Sequence, residues 1–399
     1  MLDSTRPQTT RANRGAPRGQ GDDLDEWPKL AFQAHERLRA RGDANGALAC
    51  AAGVLARLHR ELGAPPAMDR WIDAFDDDLA RAHEPSSSGL EPHVFRAALA
   101  VLGRRPTHPS LPLWQARALA FVRRTDAAAD DAIRAAQFAF EYAVRAGSFP
   151  LASDIVKLAR MHGAEASVAM RRRWLEAEAL EAWLNGDHAR AHRAVVEALD
   201  LGAGYAAWEQ GASAAISEGD LSKADRCLAG MAATVDPRRV QDVAHAFFLG
   251  AARARLASDN DEAHQRLEAC LAQDAANVPA YFTTLWLLGR AHLDVARGRH
   301  RQAAAALAVV LAHAATRYWS FLQFSALVSR TWLRIRQRRH AEAALDLHAA
   351  LALARTGAYC NCDPWWDGEA IDGVARFAAT IPHDGETLST LLARGATAP

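Results

Sequence analysis

The chain has 399 residues, half of them hydrophobic, and its 47 basic side chains balance 47 acidic ones. The totals carry no electrostatic footprint for nucleic acid, and the most apolar long run, AAAALAVVLAHAA at 303–315, falls short of the roughly twenty residues a membrane span needs. Five cysteines, three of them scattered within helical patterns, make no disulfide framework and fit a reducing cytosol.

Residues 1–26 contain almost no large apolar side chain and no secretory-type apolar stretch. They begin basic (Arg6, Arg11, Arg14, Arg18), end acidic (Asp22, Asp23, Asp25, Glu26), and read as a disordered, solvated tail. From Trp27 onward apolar residues recur at three and four, and strand-like alternation is missing. Breaks at 62–69, 84–92, 104–112, 145–150, 161–166, 235–239 and 274–279 are loop-sized. Residues 27–399 are therefore expected as one helical array, with candidate subdivision points near 112 and 165.

The array repeats. Segments 174–201, 208–233, 247–274, 285–314 and 324–354 each read as an apolar helix, a short polar turn (NGD, EGD, SDN, RGR, RRH) and a second apolar helix. An alanine follows each turn at a fixed offset, at Ala191, Ala224, Ala263, Ala303 and Ala343. A small residue recurs twelve positions earlier, at Ala179, Ala212, Ala251, Ala291 and Thr331. Two antiparallel helices approach closely only where side chains are small, and one such hairpin cannot bury its apolar face alone. Stacking copies solves both problems. Segment 27–58 fits the frame, with Gly42-Asp43 at the turn and Ala47 after it, and 113–162 holds two looser copies.

This frame resembles tetratricopeptide repeats, with a longer spacing. It is similar to the degenerate helical sensor regions of large bacterial signal-transduction regulators, such as maltose-regulator-like ATPases. Three stretches carry that resemblance: RRPTHPSLPLW, a Pro-rich break before a helix; MAATVDPRRVQDVAHAFFLGAARARLASDN, a repeat junction; and TGAYCNCDPWWDGEAIDGVARFA, an aromatic closing segment. Those regulators carry an output module. Here there is no G-x-x-x-x-G-K-[ST], phosphate loop or DNA-binding segment. The resemblance therefore implies a sensor or scaffold part without its output domain, and supplies no activity.

Individual motifs are poor in chemistry. Cys360 and Cys362 are separated by one residue and lack the second pair a zinc site wants. Trp365 and Trp366, with Pro364 before them, are expected to cover the apolar end of the last hairpin. His188 and His192 share a helix face without an evident third ligand, and Asp187 is expected to cap the second helix of its hairpin. No G-x-S-x-G nucleophile turn is present.

The expected fold is all-α: an α-solenoid of about eight tetratricopeptide-like helical hairpins with a short aromatic C-terminal cap, cytoplasmic, without cofactor or metal. In tetratricopeptide-like arrays the first helix of each hairpin lines the concave face. Its inward positions here are Arg173, Glu176, Trp183, Glu209, His245, Phe248, Arg255, His292 and Trp332. The expected role is non-catalytic recognition of a protein partner through that face, with no direct nucleic-acid binding and no membrane. The alternatives are a small-molecule effector bound in the same groove and an undetected helical enzyme.

Overall fold

A computed structural model describes residues 21–82, 89–202, 204–273, 278–359 and 368–381. Every regular element among them is an α-helix. Most of the expected tail (1–20) and the CNCDPWWD stretch (360–367) lie outside the described residues, and α1 begins at Gly21, inside the expected tail. In chain order the helices are α1 (Gly21–Ala40), α2 (Ala44–Leu62), α3 (Met68–Arg81), α4 (Glu91–Arg104), α5 (Leu111–Val122), α6 (Ala129–Ala146), α7 (Phe149–Gly163), α8 (Val168–Leu184) and α9 (His188–Asp200). They continue with α10 (Tyr205–Glu218), α11 (Leu221–Thr234), α12 (Val240–Leu256), α13 (Asn260–Leu271), α14 (Ala280–Ala296), α15 (His300–Arg317), α16 (Ser320–Arg336), α17 (His340–Gly357) and α18 (Gly368–Ala378).

The tight turns share one mechanism. A single left-handed residue reverses the chain: Gly42, Gly186, Gly219, Ser258, Gly298 and Arg338, with φ between 59° and 78°. The next N–H then reaches the carbonyl five residues back, as Asp187 does to Ala182 at 2.8 Å and Arg339 to Arg334 at 2.9 Å. Where that next residue is aspartate, its carboxylate accepts from the following helix: Asp43 from Gly46 N–H, Asp187 from Arg190, Asp220 from Lys223 and Asp259 from Glu262. Each such cap is worth about 1 kcal/mol. Arg299 and Arg339 replace it in the last two such turns and make no side-chain cap.

The small-residue pairs do what close packing requires. Ala179, Ala212, Ala251, Ala291 and Thr331, and their partners Ala191, Ala224, Ala263, Ala303 and Ala343, are all 0 % exposed. Each sits where two helices of one hairpin cross, leaving no room for a larger side chain.

The frame is α2/α3, α4/α5 and so on to α16/α17, which makes eight hairpins. The first helices of successive hairpins lie side by side as an inner layer. Two details differ from the sequence reading. Helices α1 and α2 do form a hairpin around Gly42 with Ala47 buried, but α2 serves again as the inner helix against α3 and α4. Segment 113–143 spans α5 and α6, which belong to successive hairpins. The tight turn there is instead α6 to α7, where Gly147 is left-handed and Ser148 N–H reaches Ala143 at 2.8 Å. Of the candidate subdivision points, residue 112 lies inside α5 and residue 165 in the α7–α8 turn.

Both ends are covered. On α1, His35 Nε2 and Arg39 Nε meet the buried Asp78 carboxylate of α3 at 2.5 and 2.7 Å. At the other end α18 lies on α16, with Gly373 against the Trp332 ring and Arg336 paired with Glu369 at 2.8 Å.

The array also closes on itself. Arg239, just before α12, donates to the carbonyls of His59 (3.3 Å) and Arg60 at the end of α2. Phe149, beside the α6–α7 turn, packs on Phe321 of α16 (5.0 Å between centroids) and Tyr359 (4.9 Å). Helix α12 lies five hairpins beyond α2, and α16 five beyond α6. Two independent seams thus give the same number: one superhelical turn takes five hairpins. Accordingly the side chains of the last hairpin, Phe324, Leu347 and Leu351 among them, join the hydrophobic core of the first turn.

Candidate functional site: a charged lumen

A ring of inner helices encloses a lumen, and its lining follows from helix register. Arg134 of α6, Arg173 of α8 and His245 of α12 each stand thirteen residues before the left-handed turn residue of their own hairpin, Gly147, Gly186 and Ser258. Equivalent positions of stacked repeats face the same way. Glu141 lies two helical turns beyond Arg134 on α6, and Glu176 one turn beyond Arg173 on α8. Side chains from α2, α4, α6 and α8 come within electrostatic range of one another: Arg96 feels Arg134, Arg173 and Arg60. Four successive inner helices thus converge on one concave surface.

The arginine end of the lumen is short of partners. Arg134 pairs with Asp131 at 2.5 Å. Arg96 and Arg173 make no ion pair or hydrogen bond with another described residue. Both keep much of their surface accessible, which opens on the lumen. Burial and neighbouring guanidinium groups hold both side chains below the ordinary arginine value.

Deeper in, the sign changes. Glu209 of α10 faces Asp242, Glu141 and Glu176, and burial followed by those carboxylates pushes it up to about 8. About a fifth of its side chain, 21 %, stays accessible, so water reaches it through the lumen although protein surrounds it. Its Oε1 stands 3.4 Å from His245 Nε2. Trp286 Nε1 donates to His245 Nδ1 at 3.4 Å. An indole can only donate, so the neutral imidazole carries its hydrogen on Nε2, directed at Glu209. Burial pushes His245 down to about 4. At neutral pH the pair is a neutral acid beside a neutral ring. Burial likewise raises Glu176, against the pull of Arg172 and Arg173, and it makes no ion pair or hydrogen bond with another described residue. His59 is lowered to about 4 by burial and by Arg239 and Arg145.

The nine positions read from the sequence fall into three groups. Arg173, Glu176 and Glu209 line the lumen, with His245 in its wall. Phe248 is fully buried under the His245 ring (5.3 Å, stacked), and Trp183 is 9 % exposed with its indole N–H on Ser217 Oγ at 2.8 Å. These two join the repeats to each other. Farther along, burial followed by Arg255 holds His292 down to about 3, and its Nε2 contacts Ser329 Oγ. Trp332 is covered by α18 and lines a 740 Å³ groove between α16, α17 and α18, with His340, Arg376 and Phe377. Lumen residues the sequence reading missed are Arg96, Arg134, Glu141 and Asp242. The thirteen-residue offset from the turn would have found Arg134.

Among the described residues no group of three histidine, cysteine or acidic side chains could hold a metal ion. His192 is instead bonded to Glu218 of the next hairpin at 2.8 Å. Asp187 caps α9, as its position after the turn implies. No described helix is long and apolar enough to cross a membrane.

No protein-family profile matches the chain, and no curated protein does. Among solved structures, the crystal structure of a Rap protein complexed with competence and sporulation factor superposes with a TM-score of 0.58 at 13 % identity. The match covers 89 % of this chain and 100 % of that one. At such identity the likeness is one of architecture: this chain shares the fold of a tetratricopeptide-like helical-repeat protein.

Proposed function

We propose that the protein is a non-catalytic recognition scaffold of a signalling system, and that it takes an extended segment of a protein partner into its lumen. The observation that carries this reading is the set of lumen side chains that make no ion pair or hydrogen bond with another described residue, Arg96 of α4 and Arg173 and Glu176 of α8. Charged side chains whose hydrogen-bonding capacity is unmet within the array can be engaged by a ligand of complementary charge. The Rap structure, of the same architecture, is itself a complex with a factor.

A photo-crosslinking residue placed at Glu176 or Glu209, compared with one at Leu345 on the outer face (70 % exposed), tests the location. Crosslinks to a partner in the native host from 176 and 209, absent from 345, are expected. Crosslinks from 345 alone would overturn the reading.

A further inference from the structure

The lumen is ordered by sign. Arg96, Arg134 and Arg173 gather from α4, α6 and α8, while Glu141, Glu176 and Glu209 gather from α6, α8 and α10. On α6 the two groups stand on one face, seven residues apart, which is about 10.5 Å at 1.5 Å per residue. An extended polypeptide covers that length in about three residues.

Resting on the lumen reading above, we infer that the recognised segment is a charge-ordered peptide: an acidic side chain meets Arg96, Arg134 and Arg173, and a basic one about three residues away meets Glu141 and Glu176. Arginine suits the first contact, because its planar fork grips a carboxylate through two parallel hydrogen bonds. The carboxylates beyond it exclude a polyanion, since a second phosphate of a nucleic acid would face Glu141, Glu176 and Asp242. On α6 the seven-residue separation holds Arg134 and Glu141 apart, whereas on α8 Arg173 and Glu176 stand one turn apart and attract each other.

The test uses the full chain and acetylated, amidated hexapeptide pools carrying a neutral dye, read by fluorescence polarisation. One pool fixes Glu-x-x-Lys, a second Glu-x-x-Glu and a third Lys-x-x-Lys, with x drawn from Ala, Leu and Ser. The Glu-x-x-Lys pool is expected to bind at least about tenfold tighter than either other pool. Arg96→Glu with Arg173→Glu is expected to erase that preference and to favour Lys-x-x-Lys. Should the reversed variant fail to melt like the parent, Arg96→Gln with Arg173→Gln replaces it, with a loss of about tenfold expected. Equal binding of Glu-x-x-Lys by parent and folded variant sinks the inference, and so does binding of none of the pools. Inorganic phosphate that raises the melting temperature while no pool binds would assign the arginines to a free anion, which also overturns it. A pool that crosslinks from position 176 yet ignores the arginine substitutions would leave the lumen reading standing and remove this inference alone.

Discussion

Arg239 donates to the carbonyl of His59 across 180 positions of sequence, and its Nε also holds Asp242 at 2.5 Å. One guanidinium thus ties the first turn of the superhelix to the second and orients a carboxylate beside Glu209. Arg239→Ala removes charged donors from two backbone carbonyls and is expected to cost about 2 kcal/mol. The denaturation midpoint measures the cost, and small-angle scattering should show a larger radius of gyration as the seam loosens. An unchanged radius would mean the aromatic seam at Phe149 suffices.

Gly147 and Gly298 are both left-handed, at φ 74° and 71°, but only one is crowded. A methyl group on Gly298 meets nothing within 4 Å, while on Gly147 it collides with the Tyr359 hydroxyl. Gly298→Ala should cost about 1 kcal/mol, the backbone penalty alone. Gly147→Ala should cost about 3 kcal/mol, because the second seam must shift as well. Urea titration of both variants separates the two terms.

Glu209 gives the fold an alkaline weakness. Its carboxyl stands near 8 in the folded chain against an ordinary 4.5, so the folded state holds a proton that the unfolded state has lost. The stability this proton contributes is complete below about 4.5 and is lost as pH rises towards 8. Glu209→Gln is expected to flatten that decline and raise the melting temperature at pH 8 more than at pH 5. Parallel pH profiles for parent and variant would rule this out.

His59 and His245 stand near 4 and His292 near 3, all below the ordinary 6.5. Lowered values act in the other direction. Their contribution is complete above 6.5 and drains as pH falls towards 4. Three such rings outweigh one glutamate between pH 4.5 and 6.5, so net stability falls on acidification there. His245→Phe keeps the stack on Phe248 and should make the acid limb shallower, while costing about 1 kcal/mol at neutral pH for the lost Trp286 acceptor. A thermal-melt series from pH 4 to 8 checks both effects.

Ala263 tests the packing rule. It is 0 % exposed at the α12–α13 crossing, and Ala263→Leu forces the helices apart at a cost of about 2 to 3 kcal/mol. The same substitution at the exposed Ala341 of α17 should be nearly neutral. Equal costs at both sites would mean the crossing is looser than described.

The hairpins were legible because their causes are local. A small residue, twelve positions, another small residue and a left-handed turn can all be read within thirty residues, and every alanine so identified is buried. The N-terminal frame was not, because α2 serves two hairpins and α6 has Phe140 where the later repeats have a small residue. The lumen was half legible. Arg173, Glu176 and Glu209 follow from counting within one repeat. Arg96 has no tight turn to count from, because α4 and α5 are joined by a longer break, and no local signal encodes a contact such as Arg239 with His59. Trp332 looked inward by the same count, yet the end of the array brings α18 over it.

The two seams change how such a protein must come apart. In an open row of repeats each unit answers only to its neighbours, and the ends fray independently. Here Phe321 and Tyr359 of the last hairpin complete the packing of Phe149, and the start of α12 holds the end of α2. Removing the final hairpin would therefore strip apolar surface from the first turn of the superhelix. Unfolding is then expected to be a single concerted transition for the whole array, with early and late repeats protected from hydrogen exchange to the same extent.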